Sequence, residues 1–220
     1  MFKWKYKRNN MIKLIVFDLW STLATRTNPY YHFSTEMKKE FKLKLYEDEI
    51  ISIFEETIQT RLWESEFDAY KELARNLEIA PTEKNILKIM ALREHAERNI
   101  ELYDFSISLL KSLRKKGYKT ALLTNSSRFI YDMVKDKTNL LEYIDYSLFS
   151  YQIGYVKPQD IFYITMQEKA NIKNPKEILM IGDNLYKDVK VPKKLGWNGI
   201  HFQNSFEKLK IDLKKFNIEI

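Results

Sequence analysis

Glycine is unevenly distributed along this 220-residue chain, and its distribution separates two kinds of local structure. All five glycines lie at or after Gly117, and residues 1–116 contain none. In the glycine-containing part, short apolar stretches alternate with amphipathic ones. The predicted strands are 119–124 (KTALLT), 146–149 (YSLF), 177–182 (EILMIG) and 199–202 (GIHF), and the predicted helices lie near 127–137, 159–170 and 186–195. This alternation predicts a parallel sheet covered by helices, with the active site at the carboxyl ends of its strands.

The part of the chain before Gly117 predicts one more strand and then a run of helices. Residues 11–17 form an apolar stretch that suits a buried strand. The segment EDEIISIFEETI (47–58) repeats its apolar residues at near-helical spacing, and 85–98 is a further helix candidate. We therefore predict an α/β protein. It has a Rossmann-like parallel-sheet core of residues 11–27 and 101–220, an all-helical cap domain of residues 28–100, and a basic N-terminal extension of residues 1–10.

Composition and charge exclude several classes of protein. Because the chain has no cysteine, it has no disulfide framework, thiolate zinc site or cysteine nucleophile. The apolar run before Asp18 is too short for a signal peptide or a membrane span, so we expect a cytoplasmic protein without membrane contact. The net charge is +7, and residues 3–8 supply four positive charges and no acid. This segment favours a flexible terminal extension over nucleic-acid binding.

Four short motifs follow predicted strand ends in order along the chain. They are FDLWSTL (17–23), LLTNSS (122–127), GYVKP (154–158) and IGDNLYKD (181–188). Their order and spacing resemble the four motifs of the haloacid dehalogenase (HAD)-like hydrolase superfamily. With the helical insertion after the first motif, the resemblance covers nearly the whole chain after residue 11.

The resemblance implies a role for one side chain in each of the first three motifs. Asp18 is the expected nucleophile, forming a covalent intermediate that water later cleaves. Thr124 is expected to donate a hydrogen bond to a phosphoryl oxygen, and Lys157 to neutralise the charge that develops during transfer. The expected substrate is a small phosphorylated anion, and the oligomeric state is left open. The expected phosphate-binding residues are Leu19, Trp20, Thr124, Asn125 and Lys157.

The fourth motif predicts a metal site. Asp183 follows an apolar strand, so its carboxylate should emerge beside that of Asp18. Two carboxylates facing one anionic substrate require a hard cation between them, and oxygen ligands with a phosphate suit Mg²⁺. The resemblance implies Asp18, Asp183 and the backbone carbonyl of Trp20 as ligands. Asp188 and Asn184 are expected to support them from the outer shell.

Trp20 stands where phosphatases of this superfamily carry a second aspartate that acts as general acid and base. Losing such a group costs on the order of 10²- to 10⁴-fold in rate. Three interpretations stay open. A phosphatase could use a good leaving group or a proton from a cap residue, of which His32 is the nearest candidate. A 2-haloacid dehalogenase, which uses no metal, would need Arg26 or Arg61 to receive the halide. A metal-binding protein without catalysis could act on a partner instead.

Overall fold

The computed structural model describes residues 11–26, 31–97 and 100–220. The N-terminal extension predicted for residues 1–10 lies outside the described residues, as do the predicted domain boundary at 27/28 and the end of the predicted helix at Arg98. Among the described residues, no helix is both long and apolar enough to cross a membrane.

A five-stranded parallel sheet forms the centre of the fold. Its strands are β1 (Leu14–Phe17), β4 (Lys119–Thr124), β5 (Tyr146–Phe149), β6 (Ile178–Gly182) and β7 (Asn198–His201). The order across the sheet is β5-β4-β1-β6-β7, so β1 is the central strand. All four strand pairs of this sheet are parallel. The predicted Rossmann-like α/β class is therefore confirmed.

Helices cover both faces of this sheet because the strands are apolar on both sides. Ile15 and Phe17 of β1 point into one hydrophobic cluster, and Leu14 and Val16 point into the other. The first cluster contains residues of α5 (Ser106–Lys115), α6 (Arg128–Lys137) and α9 (Phe206–Lys214). The second contains residues of α7 (Asp160–Lys169) and α8 (Val191–Lys194).

Four further helices follow β1 along the chain, before β4, and share a hydrophobic cluster of their own. They are α1 (Phe33–Phe41), α2 (Glu47–Ile58), α3 (Glu66–Asn76) and α4 (Glu83–Glu97). We refer to residues 31–97 as the helical unit. A two-stranded antiparallel ribbon joins its ends to the sheet, formed by β2 (Ala24–Arg26) and β3 (Ile100–Leu102). This ribbon was not predicted, because three-residue strands have too little periodicity to recognise.

The segment after β6 is helical, as predicted near 186–195, but its first part is not an α-helix. It forms a π-helical turn, Leu185–Lys190, which is followed directly by the short α8. The side-chain oxygen of Asn184 accepts hydrogen bonds from the amides of Tyr186 (3.0 Å) and Lys187 (2.9 Å) and so caps this turn. Asp188 lies within this turn, so the wider turn sets the position of its side chain.

Candidate active site

The predicted site residues converge on one cavity at the carboxyl edge of the sheet. Asp18 follows β1, Thr124 ends β4 and Asp183 follows β6. Lys157 arrives from the loop after β5, and these four side chains line a cavity of about 320 Å³. Neighbouring parallel strands end at the same edge, which is why residues 165 positions apart in sequence meet here.

Lys157 is buried between two carboxylates. Its ammonium Nζ donates to Asp18 Oδ1 at 2.7 Å and to Asp188 Oδ1 at 2.7 Å. Burial alone would lower the pKa of Lys157, but the charges of Asp18 and Asp188 outweigh it and raise the pKa, so the residue stays a cation. Burial raises the pKa of Asp18, against the opposing pull of Lys157. The two acids and the lysine therefore form one charged unit rather than separate groups.

The carboxylate of Asp188 is more central than expected. The sequence suggested an outer supporting position, whereas the structure buries Asp188 completely, in contact with Lys157. Its Oδ2 also accepts a hydrogen bond from the amide of Asn184 at 3.0 Å. The π-helical turn carries the side chain back under the end of β6, where Gly182 makes room for it. A Cβ atom at Gly182 would lie 2.3 Å from the Asp188 carboxyl carbon.

A Gly182→Ala substitution is therefore expected to destabilise the protein by about 1–3 kcal/mol, because the new methyl group must displace Asp188 from Lys157. Chemical denaturation measures this loss. In an Asp188→Ala background the obstructing carboxylate is gone, so the same methyl group should cost much less. Gly199→Ala is a milder control, since its Cβ would lie 3.1 Å from Val189. Equal losses from Gly182→Ala in both backgrounds would contradict this packing.

Three carboxylates of the site are close enough to share one cation. Oxygens of Asp18, Asp183 and Asp188 all lie within 4.8 Å of one another. The pKa of Asp183 is raised, first by partial desolvation of its carboxylate and then by the charge of Asp188. A hard divalent cation would relieve this repulsion, and all-oxygen ligands are those that Mg²⁺ prefers. The residues present thus fit a Mg²⁺ site at Asp18 and Asp183, with the carbonyl of cavity-lining Trp20 as a further candidate ligand.

The residues after β4 organise the lysine loop. Asn125 accepts from the Lys157 amide at 2.7 Å and donates to the Lys157 carbonyl at 3.0 Å. The hydroxyl oxygens of Thr124 and Ser126 are 2.9 Å apart and buried. Thr124 lines the cavity, as a phosphate ligand must. Asn125 also lines it, but its amide is already engaged by the Lys157 backbone, which indicates a positioning role.

The two residues after Asp18 face different surroundings. Leu19 is fully buried in the hydrophobic core, and its carbonyl accepts from the amides of Leu23 and Ala24 at 2.9 Å. Its side chain packs into the core and does not line the cavity, so the prediction that Leu19 binds phosphate can concern only its backbone and stays a prediction. Trp20 is half-buried, packs against the same core and lines the cavity.

The helical unit also contributes to the cavity. Tyr31, His32, Glu55 and Gln59 line it together with the residues from the sheet edge. Glu55 is a residue that the sequence analysis missed, because the helical pattern of α2 alone does not show which face meets the sheet. Arg61 does not line this cavity and instead stacks on Trp63, with the guanidinium carbon 4.7 Å from the ring centroid. The side chain of Arg26 is outside the described residues.

A strand-end aspartate, a buried lysine and an acidic cluster at the carboxyl edge of a Rossmann-like sheet are the arrangement that the four sequence motifs predict. The chain belongs to the haloacid dehalogenase-like hydrolases, whose family profile matches residues 12–196. This confirms the family resemblance in the four motifs.

Individual relatives agree with this assignment. Pyrophosphatase PpaX of Bacillus cereus is 29% identical over 91 residues, which cover 41% of this chain and 42% of the relative. In the curated relatives of the first two matches, the matched part spans only 38% and 42% of their length. A structure described as "a predicted HAD-like family hydrolase" from Porphyromonas gingivalis is 22% identical over 95% of this chain and all of its own, with a TM-score of 0.69.

One similar structure was solved with ligands. A HAD family enzyme of Bacteroides thetaiotaomicron, described as a complex with magnesium and inorganic phosphate, has a TM-score of 0.65 and 20% identity. The alignment covers 90% of this chain and 98% of that one. At this level of identity the likeness supports the fold.

Proposed function

We propose that this protein is a Mg²⁺-dependent phosphatase that hydrolyses a small phosphorylated substrate through an aspartyl-phosphate on Asp18. One observation carries the proposal: Lys157 joins Asp18 to Asp188 in a cavity that also holds Asp183 and Thr124. A haloacid dehalogenase would need a halide site but no acidic cluster. The described part of the cavity contains the cluster, whereas Arg61 lies elsewhere.

The reaction assigns each group a separate task. A carboxylate oxygen of Asp18 attacks phosphorus, the bond to the leaving oxygen breaks, and that oxygen takes the electron pair. Lys157 balances the negative charge near the attacking carboxylate, and the Thr124 hydroxyl donates to a phosphoryl oxygen. Bound Mg²⁺ would neutralise charge on the phosphoryl group. Water then attacks phosphorus and restores the Asp18 carboxylate.

Two further observations from relatives support phosphoryl transfer. PpaX is named as a pyrophosphatase, and the similar Bacteroides enzyme was crystallised with magnesium and inorganic phosphate. Those statements concern those proteins, and the acidic cluster of this chain supplies the chemical reason for extending them. Trp20 contributes no proton transfer, so the proposal predicts fastest turnover for phosphate esters with good leaving groups.

The test pairs two substrates under two metal conditions. Release of phosphate from an activated aryl phosphate and of chloride from 2-chloropropionate is measured with Mg²⁺ and with EDTA, with Asp18→Asn as the blank. We expect phosphate release that needs Mg²⁺ and no chloride release. Chloride release that persists in EDTA would instead establish the dehalogenase reaction. Neither product, over a panel of phosphate esters, would favour a binding protein.

A further inference from the structure

One carboxylate in the cavity comes from the helical unit rather than from the sheet. Among the described lining residues, Asp18, Asp183 and Asp188 belong to the sheet edge, and Glu55 belongs to α2. Glu55 is half-buried and follows Phe54, which packs in the core of the helical unit. Packing of Phe54 thus fixes the helix, and the helix presents the next residue to the sheet.

Two hydrogen-bonded groups hold this carboxylate in place. The Lys187 ammonium donates to Glu55 Oε2 at 2.9 Å and to Oε1 at 3.1 Å. The Asn125 side-chain amide donates to Oε2 at 3.2 Å. Lys187 directly precedes Asp188, and Asn125 binds the backbone of Lys157. Glu55 is therefore tied to the two segments that supply the charged groups around Asp18.

The proposed reaction needs a proton acceptor that the sheet edge does not offer. In the second step Asp18 carries the phosphoryl group, Asp188 is fully buried against Lys157, and Asp183 is assigned to the cation. Trp20 has no group that accepts a proton at neutral pH. Glu55 is the remaining carboxylate of the described cavity lining, and its ion pair with Lys187 keeps it oriented.

We propose that Glu55 is the general base of the second step, in place of the aspartate that Trp20 replaces. The oxygen of a water molecule attacks phosphorus of the Asp18 aspartyl-phosphate, and the bond between phosphorus and the Asp18 oxygen breaks. Asp18 recovers its carboxylate, and the proton of the water passes to Glu55. This role rests on the proposed phosphatase function, and it assigns catalysis to a residue of the helical unit.

The test separates the two chemical steps of a Glu55→Gln variant. Glutamine keeps the length of the side chain but accepts protons far more weakly, so formation of the aspartyl-phosphate should continue while its hydrolysis slows. With an activated aryl phosphate and Mg²⁺, rapid mixing should show a burst of about one phenolate per protein. Steady turnover should then fall on the order of 10²- to 10⁴-fold below wild type. Rapid quench should recover the phosphorylated variant.

Two matched variants distinguish catalysis from tethering. Lys187→Met removes one of the two groups that orient Glu55 but leaves its carboxylate and the hydrogen bond from Asn125, so steady turnover should fall much less than in Glu55→Gln, with no burst. His32→Gln tests another titratable residue that the helical unit contributes to the described lining. If the rates of the first turnover and of steady turnover fall equally in Glu55→Gln, Glu55 only links α2 to the sheet edge, and the proposal is overturned. Unchanged turnover, or a burst only in His32→Gln, would also overturn it.

Failure of this inference is distinguishable from failure of the proposed function. If wild type releases phosphate with Mg²⁺ and Asp18→Asn does not, the proposed phosphatase function is supported, whichever result Glu55→Gln gives. If wild type releases none, the proposed function fails and the Glu55 role fails with it. Denaturation midpoints of all variants show whether each is folded under assay conditions.

Discussion

An Asp18→Asn variant is expected to lose aryl phosphate turnover on the order of 10⁴-fold or more. The amide has nearly the shape of the carboxylate but cannot attack phosphorus or carry the phosphoryl group. The fold should survive the change. Burial raises the pKa of Asp18, which means that the buried charge costs free energy near neutral pH, and asparagine removes that cost while losing the ion pair with Lys157. Steady-state turnover and a denaturation curve measure both effects.

Asp18→Glu is the matched control for charge. It keeps a carboxylate facing Lys157 but moves the attacking oxygen by one methylene group, and displacements of this size disrupt in-line attack. We expect it to be nearly as inactive as Asp18→Asn. Turnover near the wild-type rate in Asp18→Asn would show that another group attacks the substrate.

A Lys157→Met variant is expected to lose both activity and about 3–5 kcal/mol of stability. Methionine fills similar space, but Asp18 and Asp188 then face each other without the cation that lies 2.7 Å from each. Burial, and then the charge of Asp188, already act to raise the pKa of Asp18, and losing Lys157 removes an opposing influence. The folded variant therefore binds a proton more readily than the unfolded chain. Its stability deficit should be smaller at low pH and should grow as pH rises through neutrality.

Two comparisons test this explanation of the Lys157 effect. Adding Asp188→Asn removes one of the opposed carboxylates, so the double variant should regain part of the lost stability but no activity. Lys187→Met makes the same substitution at a half-exposed ion pair of the same cavity and should cost only about 1 kcal/mol or less. If Lys157→Met has wild-type stability at pH 8, Lys157 does not stabilise the buried carboxylates of Asp18 and Asp188, contrary to this explanation.

Much of the site could be predicted because strand ends in a parallel sheet share one edge. Asp18, Thr124 and Asp183 each close an apolar stretch, so the alternating pattern alone brings them together. The core strands were predicted to within three residues at each end for the same reason, since four to six apolar residues bounded by polar ones are easy to recognise. The family match then confirms the resemblance in the motifs.

The remaining features depend on packing that sequence spacing does not encode. Asp188 was predicted to support the metal ligands from the outer shell, whereas the π-helical turn places it under Gly182 and in contact with Lys157. Glu55 sits in α2 between several other acids, and only the docking of the helical unit distinguishes it from them. His32 is the nearest cap candidate for a proton source by sequence and does line the cavity, but Glu55 is the residue bonded to the sheet edge.

Locating the covalent phosphoryl group tests most directly whether the reaction passes through an aspartyl-phosphate on Asp18. Wild-type protein is mixed with an activated aryl phosphate and Mg²⁺, quenched in acid within the first turnover, digested and analysed by mass spectrometry. We predict one phosphoryl group on the peptide that contains Asp18, absent in EDTA and in Asp18→Asn. Phosphate release without a modified Asp18, or with the phosphoryl group on another residue, would contradict it.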